Sequence, residues 1–166
     1  MKKPFPFLQI ACLAIALTLL SACRSTTPQT VDATTAANID KGVRQMAAAV
    51  SHDLAQDGPN AWLRYFAGTN EFFMAVNGKL QFASLDQAKS FLPGFASGVA
   101  HMELTWTDIR VDPIVPGMAI MGASYKELFT DNAKNTKEFH GYFTGLAVET
   151  SSGWKFRNAH WSSPAS

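Results

Sequence analysis

The sequence predicts an α+β domain in which helices come first and cover one face of a curved antiparallel sheet. Three observations carry that expectation. Apolar residues recur at helical spacing up to about Leu92, and from Val99 onward the period changes to two. The alternating segments follow one another across short turn-forming breaks, the pattern of consecutive antiparallel strands. Helical segments grouped ahead of strands, rather than interleaved with them, separate this layout from a βαβ fold.

The elements follow in order. Asp32, Thr34 or Thr35 can cap a first helix, whose apolar face is Ile39, Val43, Met46, Val50 and Leu54. Asp57-Gly58-Pro59 ends it. Trp62, Leu63, Tyr65 and Phe66 suggest a short second helix. Residues 72–76 and 79–82 read as a hairpin, because Asn77-Gly78 tolerates the positive φ of a type I′ turn. Ser84 and Gln87 make a capping-box pattern, with Leu85, Ala88 and Leu92 on one face and Pro93-Gly94 as the stop. Four long strands complete the chain, over 99–111, 118–129, 136–148 and 154–161, with breaks at 113–117, 131–135 and 151–153.

Composition supports one folded unit. The chain has 166 residues, of which 47% are hydrophobic and 16% charged, so a single core can be buried and disorder is excluded. Fourteen basic residues face thirteen acidic ones. With Lys2 and Lys3 set aside, 12 basic residues face 13 acidic ones, a balance of −1. No basic field is present to hold a polyphosphate backbone, which argues against nucleic acid as a partner.

The first 22 residues read as a secretion signal. Lys2 and Lys3 precede an apolar run from Phe5 to Leu20, too short to span a bilayer comfortably. Leu20-Ser21-Ala22-Cys23 then resembles a bacterial lipobox. Its chemistry is a nucleophilic thiol that takes a diacylglyceryl group, preceded by small residues that fit the peptidase. Cys23 is thus expected to become the lipidated first residue of the mature chain and its link to the membrane. Cys12 would leave with the leader, so no internal disulfide is expected. Arg24 stands where enteric-type sorting signals retain proteins with Asp, which points to the outer rather than the inner membrane of the cell envelope, facing the periplasm. Residues 23–35, rich in Ser and Thr, read as a tether, and residues 36–166 as the domain.

The element order, together with Gly153-Trp154-Lys155-Phe156-Arg157-Asn158-Ala159-His160-Trp161-Ser162, resembles the NTF2-like superfamily, within it the SnoaL-like or DUF4440-like branch. The resemblance covers about 39–162. It implies a cone in which helices and the concave face of the sheet enclose a cavity, with a convex face that often pairs subunits. Many relatives carry adjacent acids after the second helix; Gly68-Thr69-Asn70-Glu71 stands here instead, so no catalytic role transfers from them.

Alternation assigns faces on the last two strands. Lys155 and Arg157 belong outside with Ala159 and Trp161, which places Trp154, Phe156, Asn158, His160 and Ser162 inside. On the preceding strand the family alignment of Thr144 puts His140, Tyr142 and Thr144 inside, opposite Phe139, Gly141 and Phe143. The strands over 99–111 and 118–129 are apolar on both faces or irregular and remain unassigned. The expected ligand site is therefore His140, Tyr142, Asn158 and His160, with Trp62 and Tyr65 closing the cavity from the helix side. Phe139 and Phe143 would form the contact of a homodimer.

Other chemistry has no support in the chain. His52, His101, His140 and His160 lack metal-ligand spacing, so no metal is expected. No phosphate-cradling glycine motif occurs, so no cofactor is expected either. Ser124 and Ser162 lack nucleophile-elbow surroundings. Glu103 and Asp108 have opposite parity and share a face only if a bulge lies between them. The leading expectation is non-catalytic binding of a small, partly apolar ligand in the cone. An isomerase, cyclase or hydrolase of the SnoaL or ketosteroid isomerase type is the alternative, with Tyr142 as oxyanion donor and His140 or His160 as base. A cell-envelope complex subunit, binding a protein through the convex face by Phe139, Phe143 and Trp161, is the third.

Overall fold

A computed structural model describes residues 30–164. Helix α1 (Ala33–Asp57) starts where Asp32 accepts hydrogen bonds from the Thr35 amide and hydroxyl at 2.9 and 2.6 Å. It buries the expected stripe from Ile39 to Leu54, with Met46 and Ala47 between. A 3₁₀-helix (Gly58–Arg64) follows at once. The α-helix ends at Asp57 as expected, and the Gly58-Pro59 pair redirects the chain into the next turn: Gly58 takes φ 66, off the α-helical axis, and Pro59 suits a first helical turn.

Strands β1 (Phe73–Val76) and β2 (Lys79–Phe82) form the hairpin across Asn77 and Gly78, at φ 48 and 77. Helix α2 (Leu85–Ala96) is capped by Ser84, which accepts from the Gln87 amide at 3.3 Å, while Gln87 Oε1 accepts from the Ala83 amide at 2.7 Å. It runs past Pro93, whose fixed φ is helical and whose cost is one lost hydrogen bond near the end. The Ser97 hydroxyl closes that last turn by donating to the Gly94 carbonyl at 2.7 Å.

Four long strands follow, each longer than expected: β3 (Val99–Val115), β4 (Met118–Asp131), β5 (Thr136–Thr150) and β6 (Gly153–Ser162). The sheet order is β2-β1-β6-β5-β4-β3, antiparallel except where β1 runs parallel to β6. The parallel contact brings the hairpin beside the last strand, so sheet, 3₁₀-helix and α2 surround one hollow.

Two bulges set which side chains face it. On β3 the ladder slips between Thr107 and Arg110, with Asp108 at φ 52. On β6, Leu146 pairs with Asn158 and Ala147 with Phe156, so Arg157 is the extra residue. Alternation is broken there. Phe156, Ala159 and Trp161 all point inward, and Asn158 and His160 point outward. Beneath the helices the rings interlock: Trp161 lies 4.7 Å from both Phe143 and Tyr125, and Trp106 5.1 Å from Phe143. The Trp106 indole donates to the Ala47 carbonyl at 3.1 Å, tying β3 to α1.

Candidate functional site in the cone

The concave face encloses an open cavity of about 610 Å³. Its walls are largely aromatic, from Trp62 and Phe66 beside the 3₁₀-helix, Phe91 and Phe95 on α2, and Phe129 and Trp161 on the sheet. β4 supplies its carboxyls and its phenol. Its alternation is unbroken against β5, so Tyr125, Glu127, Phe129 and Asp131 share the inner face. Glu127 faces Leu104 on β3 and Phe139 on β5, with Tyr125 and Phe129 two residues away on either side. Among the described residues it makes no ion pair. Burial alone pushes its carboxyl from 4.5 up to about 7.

The Tyr125 hydroxyl lies 2.9 Å from Ser163 Oγ, and the Ser163 amide donates to Asn77 Oδ1 at 2.7 Å. Burial pushes the Tyr125 phenol up, and the hydrogen bond to Ser163 opposes that. Nearer the opening, Asp131 accepts from the Asn135 amide and side chain at 2.9 and 3.0 Å. Those bonds, with a smaller contribution from Lys137, hold its carboxyl below the usual range. The cavity thus offers one half-buried, desolvated carboxyl, one phenol on the same strand, and a charge-balanced mouth.

The residues expected at the site are mostly elsewhere. Trp62 lines the cavity, as expected, and is 7% exposed. Tyr65 does not. Its hydroxyl donates to Asp53 Oδ2 at 2.7 Å, Arg64 holds the same oxygen at 2.9 Å, and burial with that bond pushes the phenol up to about 12. His140, Tyr142, Asn158 and His160 all lie on the convex face, with Tyr142 42% exposed. They share that face but do not converge: His140 pairs with Lys126, Tyr142 with Ser124 and Ser162, His160 with Thr144.

Two physical causes reverse the expectation. The Arg157 bulge flips β6 after Phe156. On β5 the apolar set Phe143, Gly145 and Ala147 is the one the helices can cover, and Gly145 leaves room for the Phe143 and Phe156 rings. Phe143 is 0% exposed at the centre of the core and so is not available for the expected dimer contact, while Phe139 is 43% exposed at the cavity mouth. Phe143 and Trp161 are likewise absent from the convex surface proposed for a protein partner. Glu103 and Asp108 are both exposed, away from the cavity. Cys23 lies outside the described residues. Glu127 went unnoticed because its strand is apolar on both faces; the available signal was that it is the sole acid in 118–129, in step with Met121, Ala123, Tyr125 and Phe129.

No family profile and no curated protein matches the sequence. Solved structures do. A provisionally named scytalone dehydratase from Novosphingobium aromaticivorans superposes with a TM-score of 0.69 at 14% identity, over 78% of this chain and 86% of that one. An NTF2-like superfamily protein from Salmonella enterica gives 0.61 at 14%, over 80% and 93%. The fold is NTF2-like. A type 2 hexachlorocyclohexane dehydrochlorinase shares it at a TM-score of 0.62 and 7% identity, over 78% and 87%. At such identities the likeness concerns the fold, and the site rests on its own residues.

Proposed function

We propose that the protein is a lipid-anchored domain of the cell envelope that binds a small, largely apolar molecule in its cone, with Glu127 and Tyr125 as the polar contacts. The observation that carries the binding reading is Glu127 itself: a carboxyl desolvated in an open, aromatic-walled cavity, making no ion pair among the described residues. A group of that kind costs stability and finds its compensation in a ligand. Native mass spectrometry of the protein taken from its own host tests this. A co-purified small molecule, lost on substitution of the exposed cavity-lining Phe95 by a charged residue, is expected. A ligand-free protein that takes up nothing from an envelope extract overturns it.

The anchor rests on the lipobox-like Leu20-Ser21-Ala22-Cys23, and the outer-membrane location on Arg24. Palmitate labelling is expected to mark the wild type, and Cys23→Ser to lose both the label and the membrane fraction. A Cys23→Ser protein still in the membrane fraction removes the anchor and leaves the cone reading untouched.

A second reading is favoured by one observation. A carboxyl near pH 7 with a phenol two residues along the same strand suits proton abstraction, which works best when the base titrates near the operating pH. The neighbours named as a dehydratase and a dehydrochlorinase carry names for eliminations, reactions that begin with such a step. In this reading Glu127 removes a carbon-bound proton and Tyr125 donates to the developing anion. Solvent-deuterium exchange into the co-purified molecule, abolished by Glu127→Gln while binding persists, is the expected signature. Binding without exchange leaves only the carrier function.

A further inference from the structure

The charge inventory of the cone narrows what it can hold. The 3₁₀-helix, the hairpin, α2, β3 and β6 contribute no ionisable side chain to its lining. The groups that titrate all come from β4 and β5: Tyr125, Glu127, Asp131 and Lys137. Asp131 and Lys137 are opposite in sign and influence one another at the mouth. With Lys137 set against the two carboxyls, the lining carries one net negative charge, and Glu127 makes no ion pair among the described residues.

Its surroundings are as one-sided as its charge. Rings stand on three sides: Tyr125 and Phe129 along the strand, and Phe139 directly across on β5, where paired side chains sit about 5 Å apart. Phe129 and Phe139 meet edge to face at 5.7 Å, and Trp161 meets Tyr125 at 4.7 Å, so aromatic surface continues from the carboxyl into the cavity. An aromatic wall accepts a cation on a ring face, and a carboxylate beside it adds to the preference for positive charge.

From this geometry we propose that the ligand is an organic monocation, a primary amine or a quaternary ammonium on an apolar body, seated with its charged end against Glu127. The inference rests on the cone being a binding site and specifies what it binds. An anion would meet the carboxylate, a repulsive contact. A neutral ligand would leave Glu127 uncompensated wherever it is ionised, above about pH 7. A bare metal ion lacks ligands, since the described residues hold no cluster of metal-binding side chains. A monocation cancels the lone charge, and its hydrocarbon part fills the apolar volume.

Isothermal titration of the full chain with four probes of one shape tests the assignment: phenylbutylamine, its trimethylammonium derivative, phenylbutanol and phenylbutyrate. At pH 8 both cations are expected to bind at least tenfold more tightly than the alcohol, and phenylbutyrate more weakly still. Glu127→Gln is expected to erase the preference for the cations while leaving phenylbutanol within about threefold. Glu127→Asp, which keeps the charge, retains the preference. Lowering the pH to 5.5 protonates Glu127 and is expected to remove most of the cations' advantage over the alcohol, with alcohol binding unaffected. If phenylbutanol binds as tightly as the amines, or if Glu127→Gln leaves their ratio unchanged, the charge assignment is overturned and the cavity remains a binding site. If none of the four binds, both readings fall.

Discussion

Glu127 keeps its proton to about pH 7 because Leu104, Phe139, Tyr125 and Phe129 replace the water that would solvate its charge. The sign of the consequence is fixed. Between 4.5 and 7 the folded carboxyl is protonated where the unfolded one has released its proton. Glu127 therefore favours the folded state fully at acid pH, and that contribution is lost as pH rises through about 7. Glu127→Gln is expected to be more stable than the wild type at pH 8, by about 1–3 kcal/mol given an opening to water, and equal to it at pH 4. Urea unfolding across that range checks it; a difference that does not change with pH sinks the idea. At this scale the site was largely illegible. A lone Glu among apolar residues carries no motif, whereas His140, Tyr142 and His160 look like chemistry and lie on the outside.

Each of the last two strands has one feature on which its geometry turns. On β6 the Arg157 bulge moves Trp161 from the outer to the inner face, and with it the ring that ties the roof to the wall. On β5, Gly141 lets the end of β6 pass close by. A Cβ there would overlap the Ser162 carbonyl oxygen and lie 2.8 Å from its carbon. Because the obstacle is backbone, Gly141→Ala is expected to cost about 3 kcal/mol, with the Ser163 contact to Tyr125 lost as the chain shifts. Thermal unfolding checks the cost; a variant as stable as the wild type would mean that the strand end yields freely. Element types and order were legible, since the helical stripe Ile39–Leu54, the Asn77-Gly78 turn and the four alternating runs are local signals. The bulge was not. Inserting one residue leaves composition and propensity unchanged and alters only which residues oppose each other.

One core serves the whole domain: α1, the 3₁₀-helix and the sheet meet at Trp62, Trp106, Phe143, Phe156 and Trp161. Loss of any part is felt by the rest, so far-ultraviolet circular dichroism and tryptophan fluorescence are expected to report one coincident urea transition. Two separated midpoints would show that the hairpin and α2 unfold as a unit of their own. Phe143→Ala, which opens a void at the centre, is expected to lower the midpoint by the equivalent of about 3–5 kcal/mol in both signals alike. The chain alone determined the α+β class and the order of its parts, because helical and strand periodicities and turn residues act over a few neighbours; the cone was implied only by the resemblance to the NTF2-like superfamily. Only the tertiary structure decided which face of each strand looks into the hollow. That choice depends on ladder register, on one extra residue in β6 and on which apolar set the helices can cover, and none of these is a property of a strand read by itself.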